Sequence, residues 1–228
     1  MNRIINVARM QLINRGTYFG VPVIILIATI LISLAIFALI PVDQPIYGGG
    51  AQAPLWYFLA LGIYSLTLTF PFSQGLSISR RTFFLGTVGL FVVTSLAWAV
   101  LYFLLALIER ATNGWGLNGY MFDMPWITGG GWLQTIAFFW ACTMFLFFVG
   151  LWSATIYKRW QVPGLLVAGI AAALILLGVA AYVSFTNTWA EFGAWFVTQT
   201  ALGIAGWLGL LVVLLGFGAY LTLRRATP

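Results

Sequence analysis

Apolar residues in this chain fall into six runs, and short segments between them carry nearly all of its charge. The runs cover about Thr17–Ile40, Pro54–Phe72, Phe83–Ile108, Trp132–Ile156, Val162–Tyr182 and Thr198–Leu223. Each is long enough to cross a hydrocarbon core as a helix, which takes roughly 20 residues. The pattern predicts an all-α membrane protein with six transmembrane helices, forming one domain over residues 1–228. Residues 1–16 follow a different pattern. Met1, Ile4, Ile5, Ala8 and Leu12 share one helical stripe, with Asn2, Arg3, Asn6 and Arg9 opposite. A basic amphipathic helix of this kind lies in the membrane interface. The same residues also read as a plain topology signal. Gly16 permits a bend into the first span, and Pro22 falls near that span's start, where a missing amide donor is tolerated.

Charge orients these spans. With the N-terminus in the cytoplasm, Arg3, Arg9, Arg15, Arg80, Arg81, Lys158, Arg159, Arg224 and Arg225 fall inside. Asp43, Glu109, Asp123 and Glu191 fall outside, with Arg110 the one basic exception. Every inner segment obeys the positive-inside rule, so both termini are expected in the cytoplasm. The net charge of +6 is therefore topology and attraction to lipid headgroups, and not a nucleic-acid footprint.

Composition excludes several functions. At 62% hydrophobic and 6% charged residues, the chain is no soluble domain. A cleavable signal peptide is not expected, because the first run exceeds a typical h-region. The chain has no His, and the span interiors carry no Asp, Glu, Lys or Arg. Proton relays, haem ligation, zinc chemistry and Ser-His catalysis all lack their residues. There is no GxxxxGK[ST] phosphate loop, so no ATPase of that type and no cofactor of its own is expected. The single Cys142 reads as a small apolar core residue.

The outer loops are rich in turn residues and tryptophan. Gly48–Gly50, Asn113-Gly114, Asn118-Gly119 and Gly129–Gly131 punctuate the first two. The third, Val183–Val197, holds Trp189, Phe192, Trp195 and Phe196, and is expected to fold back as a short interfacial helix. Glu109 and Arg110 are adjacent, so they do not face each other on a helix. They read as interfacial anchors with partners elsewhere, or as a gate contact across a dimer. Gly164, Ala168 and Ala172 step by four along one face, as do Ala201, Ala205 and Gly209. Such spacing permits close helix approach, within the chain or against a partner subunit.

The inner loop between the second and third runs reads Gly75-Leu76-Ser77-Ile78-Ser79-Arg80-Arg81-Thr82-Phe83-Phe84-Leu85-Gly86-Thr87. Leu76–Phe84 is capable of forming a short helix. It would bury Leu76, Ile78 and Phe83 against a soluble partner and offer Arg80 and Arg81 to an acidic surface. It also reads as an inside-positive anchor.

With this loop, the N-terminal interfacial helix, six spans and the aromatic segment before the last, the chain resembles membrane subunits of type-2 ABC transporters. The resemblance covers nearly the whole length. It implies a permease of an ABC exporter in the bacterial cytoplasmic membrane. Its loop residues Leu76, Ile78, Arg80, Arg81 and Phe83 would dock on a separate ATP-binding cassette ATPase, which would hold ATP and Mg. It implies a second permease chain, identical or homologous, and a path lined by spans two and five. Tyr64, Ser65 and Thr69 on the second span are then candidate lining residues. Two other readings are a non-transporting assembly or regulatory subunit and, more weakly, a membrane enzyme.

Overall fold

The computed structural model describes residues 3–40 and 44–224. Asp43 and Arg225, expected on opposite sides of the membrane, lie outside the described residues. So do Met1 and Asn2 of the amphipathic pattern. The described chain is all-α. Its helices in order are α1 (Arg3–Gln11), α2 (Val21–Leu39), α3 (Ala53–Tyr64), α4 (Phe70–Gly75), α5 (Arg80–Ala111), α6 (Pro125–Thr128), α7 (Gly131–Phe185), α8 (Trp189–Thr198) and α9 (Ala201–Arg224). Two short strands, β1 (Ile46–Tyr47) and β2 (Gly119–Tyr120), pair in parallel and join two loops at one end of the bundle. The aromatic segment before α9 does form a short helix, α8, and none of its residues is buried within the chain.

Five helical stretches are long and apolar enough to cross a membrane: Gly16–Leu39, Gly50–Gly75, Arg80–Ala111, Gly131–Phe185 and Ala201–Arg224. Two of them run through π-helical turns, at Gly16–Gly20 and Ser65–Thr69. The fourth stretch has 55 residues. Straight, it would be about 80 Å long, far beyond a hydrocarbon core of roughly 30 Å. It is not straight. Gln161 has φ 56° and ψ −152°, which divides α7 into arms of residues 131–160 and 162–185. Pro163 follows in the first turn of the second arm, where its missing amide donor is tolerated. The break falls in the gap between the fourth and fifth apolar runs.

The first arm of α7 is the hub of the bundle. It packs on α3, α5 and α9. Against α3 the two backbones touch. A Cβ added at Gly62 would strike the carbonyl of Phe147, and one added at Gly150 would strike the carbonyl of Leu59. Only hydrogen fits at either position, and each glycine makes room for the other helix. Against α5, the rings of Phe147 and Phe91 stack. Against α9, Phe148 meets Gly216 and Trp152 meets Gly218. The second arm is different: Val183 is its only buried residue.

The N-terminal helix α1 lies against α5. Val7 is fully buried over Gly86, and Gln11 Nε2 donates to Thr87 Oγ1 at 2.6 Å. The buried face is thus Val7 and Gln11, four residues apart. Ile4 and Ile5 of the expected stripe are exposed, while Ala8 and Leu12 are half-buried. Close approach at Gly86 decides which face of α1 is inside.

The crossing at Gly62 and Gly150 yields a direct expectation. Replacing Gly150 with Val forces two backbones apart in an otherwise filled core, at a cost of about 1–3 kcal/mol or more. Thermal unfolding in detergent should show Gly150→Val and Gly62→Val each strongly destabilised, with Gly169→Val, whose added Cβ meets nothing within 4 Å, near the wild type.

Candidate functional site

The loop singled out by sequence is a tight turn, not a helix. After α4, Ser77 takes a left-handed conformation with φ 55°. Ser79 then caps α5: its Oγ accepts from the Thr82 backbone N–H at 3.2 Å. Non-helical chain therefore covers Leu76 to Ser79 only. This corrects the expectation of a short helix over Leu76–Phe84, because the Ser79 cap makes Arg80–Phe84 the first turn of α5 itself.

The five candidate docking residues separate into two groups. Leu76 and Arg81 are exposed, and Ile78 is half-buried. Phe83 is buried inside the chain, with its ring 5.2 Å from that of Phe70 in an edge-to-face pair. It anchors the start of α5 to α4 and has no surface left for a partner. Arg80 is committed as well. Its Nη1 donates to the carbonyls of Arg224 at 2.8 Å and Leu223 at 3.4 Å. These are the last described carbonyls of α9, and a guanidinium near a helix C-terminus complements the helix dipole. The loop is thus tied to the end of α9.

The candidate lining residues also separate. Tyr64 and Thr69 line a crevice of about 280 Å³ with Gln11, Asn14, Thr17 and Tyr18. Both π-helical turns contribute to its walls, Thr17 and Tyr18 from one and Leu68 and Thr69 from the other. Ser65 is fully buried and donates to the Gly62 carbonyl at 2.8 Å, so it faces no cavity. A larger groove, about 910 Å³, lies between α5, the first arm of α7 and α9. Val88, Trp140, Met144, Gly209, Val212 and Phe217 are among its walls. Its chemistry is almost wholly apolar: the Trp140 indole N–H is already given to the Val92 carbonyl. Such a wall suits acyl chains or apolar cargo.

A third feature was hidden in the sequence. Glu109, at the end of α5, is fully buried. Its Oε1 accepts from Trp115 Nε1 at 2.7 Å and from the Met121 N–H at 2.9 Å. Its Oε2 accepts from the N–H groups of Phe122 and Asp123 at 2.8 and 2.6 Å. Beside it, Arg110 grips Asp123 in a two-pronged pair at 2.9 and 2.7 Å. Adjacent residues that cannot face each other thus hold the same segment. Both partners lie within the chain, as the anchor reading anticipated, although Glu109 is buried in protein rather than in an interface. Burial alone raises the Asp123 carboxyl, but hydrogen bonds from Arg110 and Thr128 outweigh it and hold it below the ordinary carboxylate range.

This clasp behaves asymmetrically. Glu109→Ala leaves buried N–H donors without an acceptor, at about 1–3 kcal/mol for each one left unsatisfied. Glu109→Gln should fail nearly as badly, because its NH₂ faces donors. Arg110→Ala removes an exposed partner and should cost about 1 kcal/mol or less. Asp123 binds its proton more weakly folded than unfolded. Its stabilising contribution is therefore complete at neutral pH and is lost as pH falls below about 4. Proteolysis of the Gly114–Tyr120 segment across pH, compared with Asp123→Asn, measures this directly.

No family model, curated protein or solved structure matches the chain.

Proposed function

We propose that the chain is the membrane-spanning subunit of an ABC exporter, seated in the bacterial cytoplasmic membrane and driven by a separate ATPase subunit. In this reading α7 supplies two spans, one on each side of Gln161, so the chain crosses six times. Both termini then lie in the cytoplasm with the basic loops, and α1 lies along that interface. ATP and Mg belong to the ATPase, and a second permease chain, identical or homologous, completes the path.

One observation carries the reading. Exposed Leu76 in the turn and exposed Arg81 at the start of α5 lie on either side of Arg80, which is bonded to the end of α9. A force on the turn thus has a rigid route into a helix that walls the large apolar groove. A plain connector needs neither the exposed Leu–Arg pair nor the tie. Closure of an ATPase dimer on ATP binding would move the turn, and α9 with it, between two states of the groove. The groove's walls suit an amphipathic cargo.

The test uses Leu76→Ala with Arg81→Gln, which leaves Arg80 to hold topology and the core intact. Co-expressed with ATP-binding cassette subunits from the same genome, this variant should insert and melt normally. It should retain its ATPase about tenfold less well, a loss near 1.4 kcal/mol. Arg80→Gln should instead keep the ATPase while weakening the link between ATP turnover and transport. Full retention and unchanged transport in both variants would leave the turn a mere anchor and sink the exporter reading.

A further inference from the structure

We propose that a basic cavity at the end of α9, together with the apolar groove beside it, is a binding site for an anionic phospholipid. The cavity has a volume of about 440 Å³ and is lined by Arg159, Leu221, Thr222 and Arg224. Arg80 adds a third guanidinium at the same helix end through its bond to the Arg224 carbonyl. The described acidic residues, Glu109, Asp123 and Glu191, all lie in or beside the loops at the opposite end of the spans. Among the described residues, the one salt bridge is Arg110–Asp123, so Arg159 and Arg224 have no carboxylate partner. Aromatic rings hold them instead. The Arg159 guanidinium lies 4.2 Å from the Trp160 ring centroid, and that of Arg224 lies 5.8 Å from the Tyr220 ring. A ring positions a guanidinium without neutralising it, leaving its N–H donors for a phosphate.

The apolar half of the site begins where the basic half ends. A groove of about 460 Å³ runs along Trp152, Trp160, Gly164, Val167, Ala168 and Ala171. Thr222 lines both spaces, and Trp160 is at once a wall of the groove and the ring beneath Arg159. Charge and hydrocarbon surface thus meet at one point, which matches a phosphate joined to acyl chains. A free anion would use only the first half, and an acidic protein segment would leave the second half empty.

Backbone strain singles out the same place. Gln161, with φ 56° and ψ −152°, occupies a conformation nearly reserved for glycine. Its break turns α7 sharply between Trp160 and Pro163, both of which line the groove. The break lies two residues after Arg159, so the basic cavity and the apolar groove adjoin the same bend. Basic recesses between spanning helices are where acidic headgroups bind by general electrostatics.

The site requires only that the chain be embedded in lipid, so its failure leaves the ATPase docking proposal standing, and the reverse also holds. The purified full chain in neutral detergent is titrated with phosphatidylglycerol, with phosphatidylcholine of the same acyl chains, and with inorganic phosphate. Native mass spectrometry reads retained lipid, and thermal melting reads stabilisation. Phosphatidylglycerol should be retained and should raise the melting temperature. Phosphatidylcholine should do so weakly, and inorganic phosphate not at all. Arg159→Gln with Arg224→Gln should weaken phosphatidylglycerol by about tenfold or more. Arg3→Gln with Arg9→Gln, an equal loss of charge elsewhere, should leave it unchanged. Ala168→Phe fills the groove without touching charge and should weaken binding too, which keeps the proposal testable if the double variant misfolds. Equal retention of the two lipids would overturn it. So would a full shift from phosphate alone, or binding by Ala168→Phe equal to that of the wild type.

Discussion

Everything in this bundle hangs on the crossing of α3 with the first arm of α7. In hydrocarbon, apolar side chains gain little by leaving lipid for protein, so helices associate through close packing instead. Gly62 and Gly150 make that packing as close as backbones allow. Once the two helices touch, Phe147 and Phe148 of the same arm are aimed at α5 and α9. The hub therefore has three faces, each occupied by a different neighbour. The second arm of α7 lies beyond the break and shares in none of this, which is why its surface is left almost bare.

The polar groups are arranged around that hub by end. At one end, the carboxylates of Glu109 and Asp123 gather the backbone of the long loop, and the β1–β2 pair joins it to the first loop. At the other, arginines lie on aromatic rings or helix carbonyls with no described acid to match them. Glu109 and Asp123 are satisfied within the chain, whereas Arg159 and Arg224 rest on rings that leave their charge unneutralised. The first end is closed by the chain's own side chains, and both the proposed lipid site and the proposed docking turn lie at the second.

Sequence reading was strong where physics is one-dimensional. Helical class follows from the apolar runs, and the break at Gln161 falls in the gap between the runs that end at Ile156 and begin at Val162. It was weaker wherever two segments must meet. Nothing local distinguishes Phe83, buried on Phe70, from the exposed Leu76 seven residues earlier. Ser65 reads as a polar lining residue until its hydroxyl is seen turned onto the Gly62 carbonyl. Glu109 reads as a surface charge, because the three N–H groups that satisfy it come from 12 to 14 residues away. One signal was available: an Arg beside a Glu at a helix end, followed by a Gly- and Asn-rich loop containing a single Asp. The capping serine at 79 was also legible, since Ser before a run opening with Arg-Arg-Thr is an ordinary helix start.

Helix α9 links these observations into one mechanical element. Its two ends are held differently. At its start, the Gln199 carbonyl just before the helix accepts from Trp126, in the clasped loop that Glu109 fixes. At its finish, the last carbonyls belong to Arg80, in the turn beside α4. Between these points its small residues face the large groove and the first arm of α7, with Gly216 against Phe148 and Gly218 against Trp152. Glycine contacts of this kind let one helix slide past a ring at little steric cost, whereas interlocked branched side chains resist it. A helix pinned at one end to the clasped loop and tied at the other to a surface turn gives a displacement of that turn a path along the wall of the groove, which is the step the proposed coupling requires.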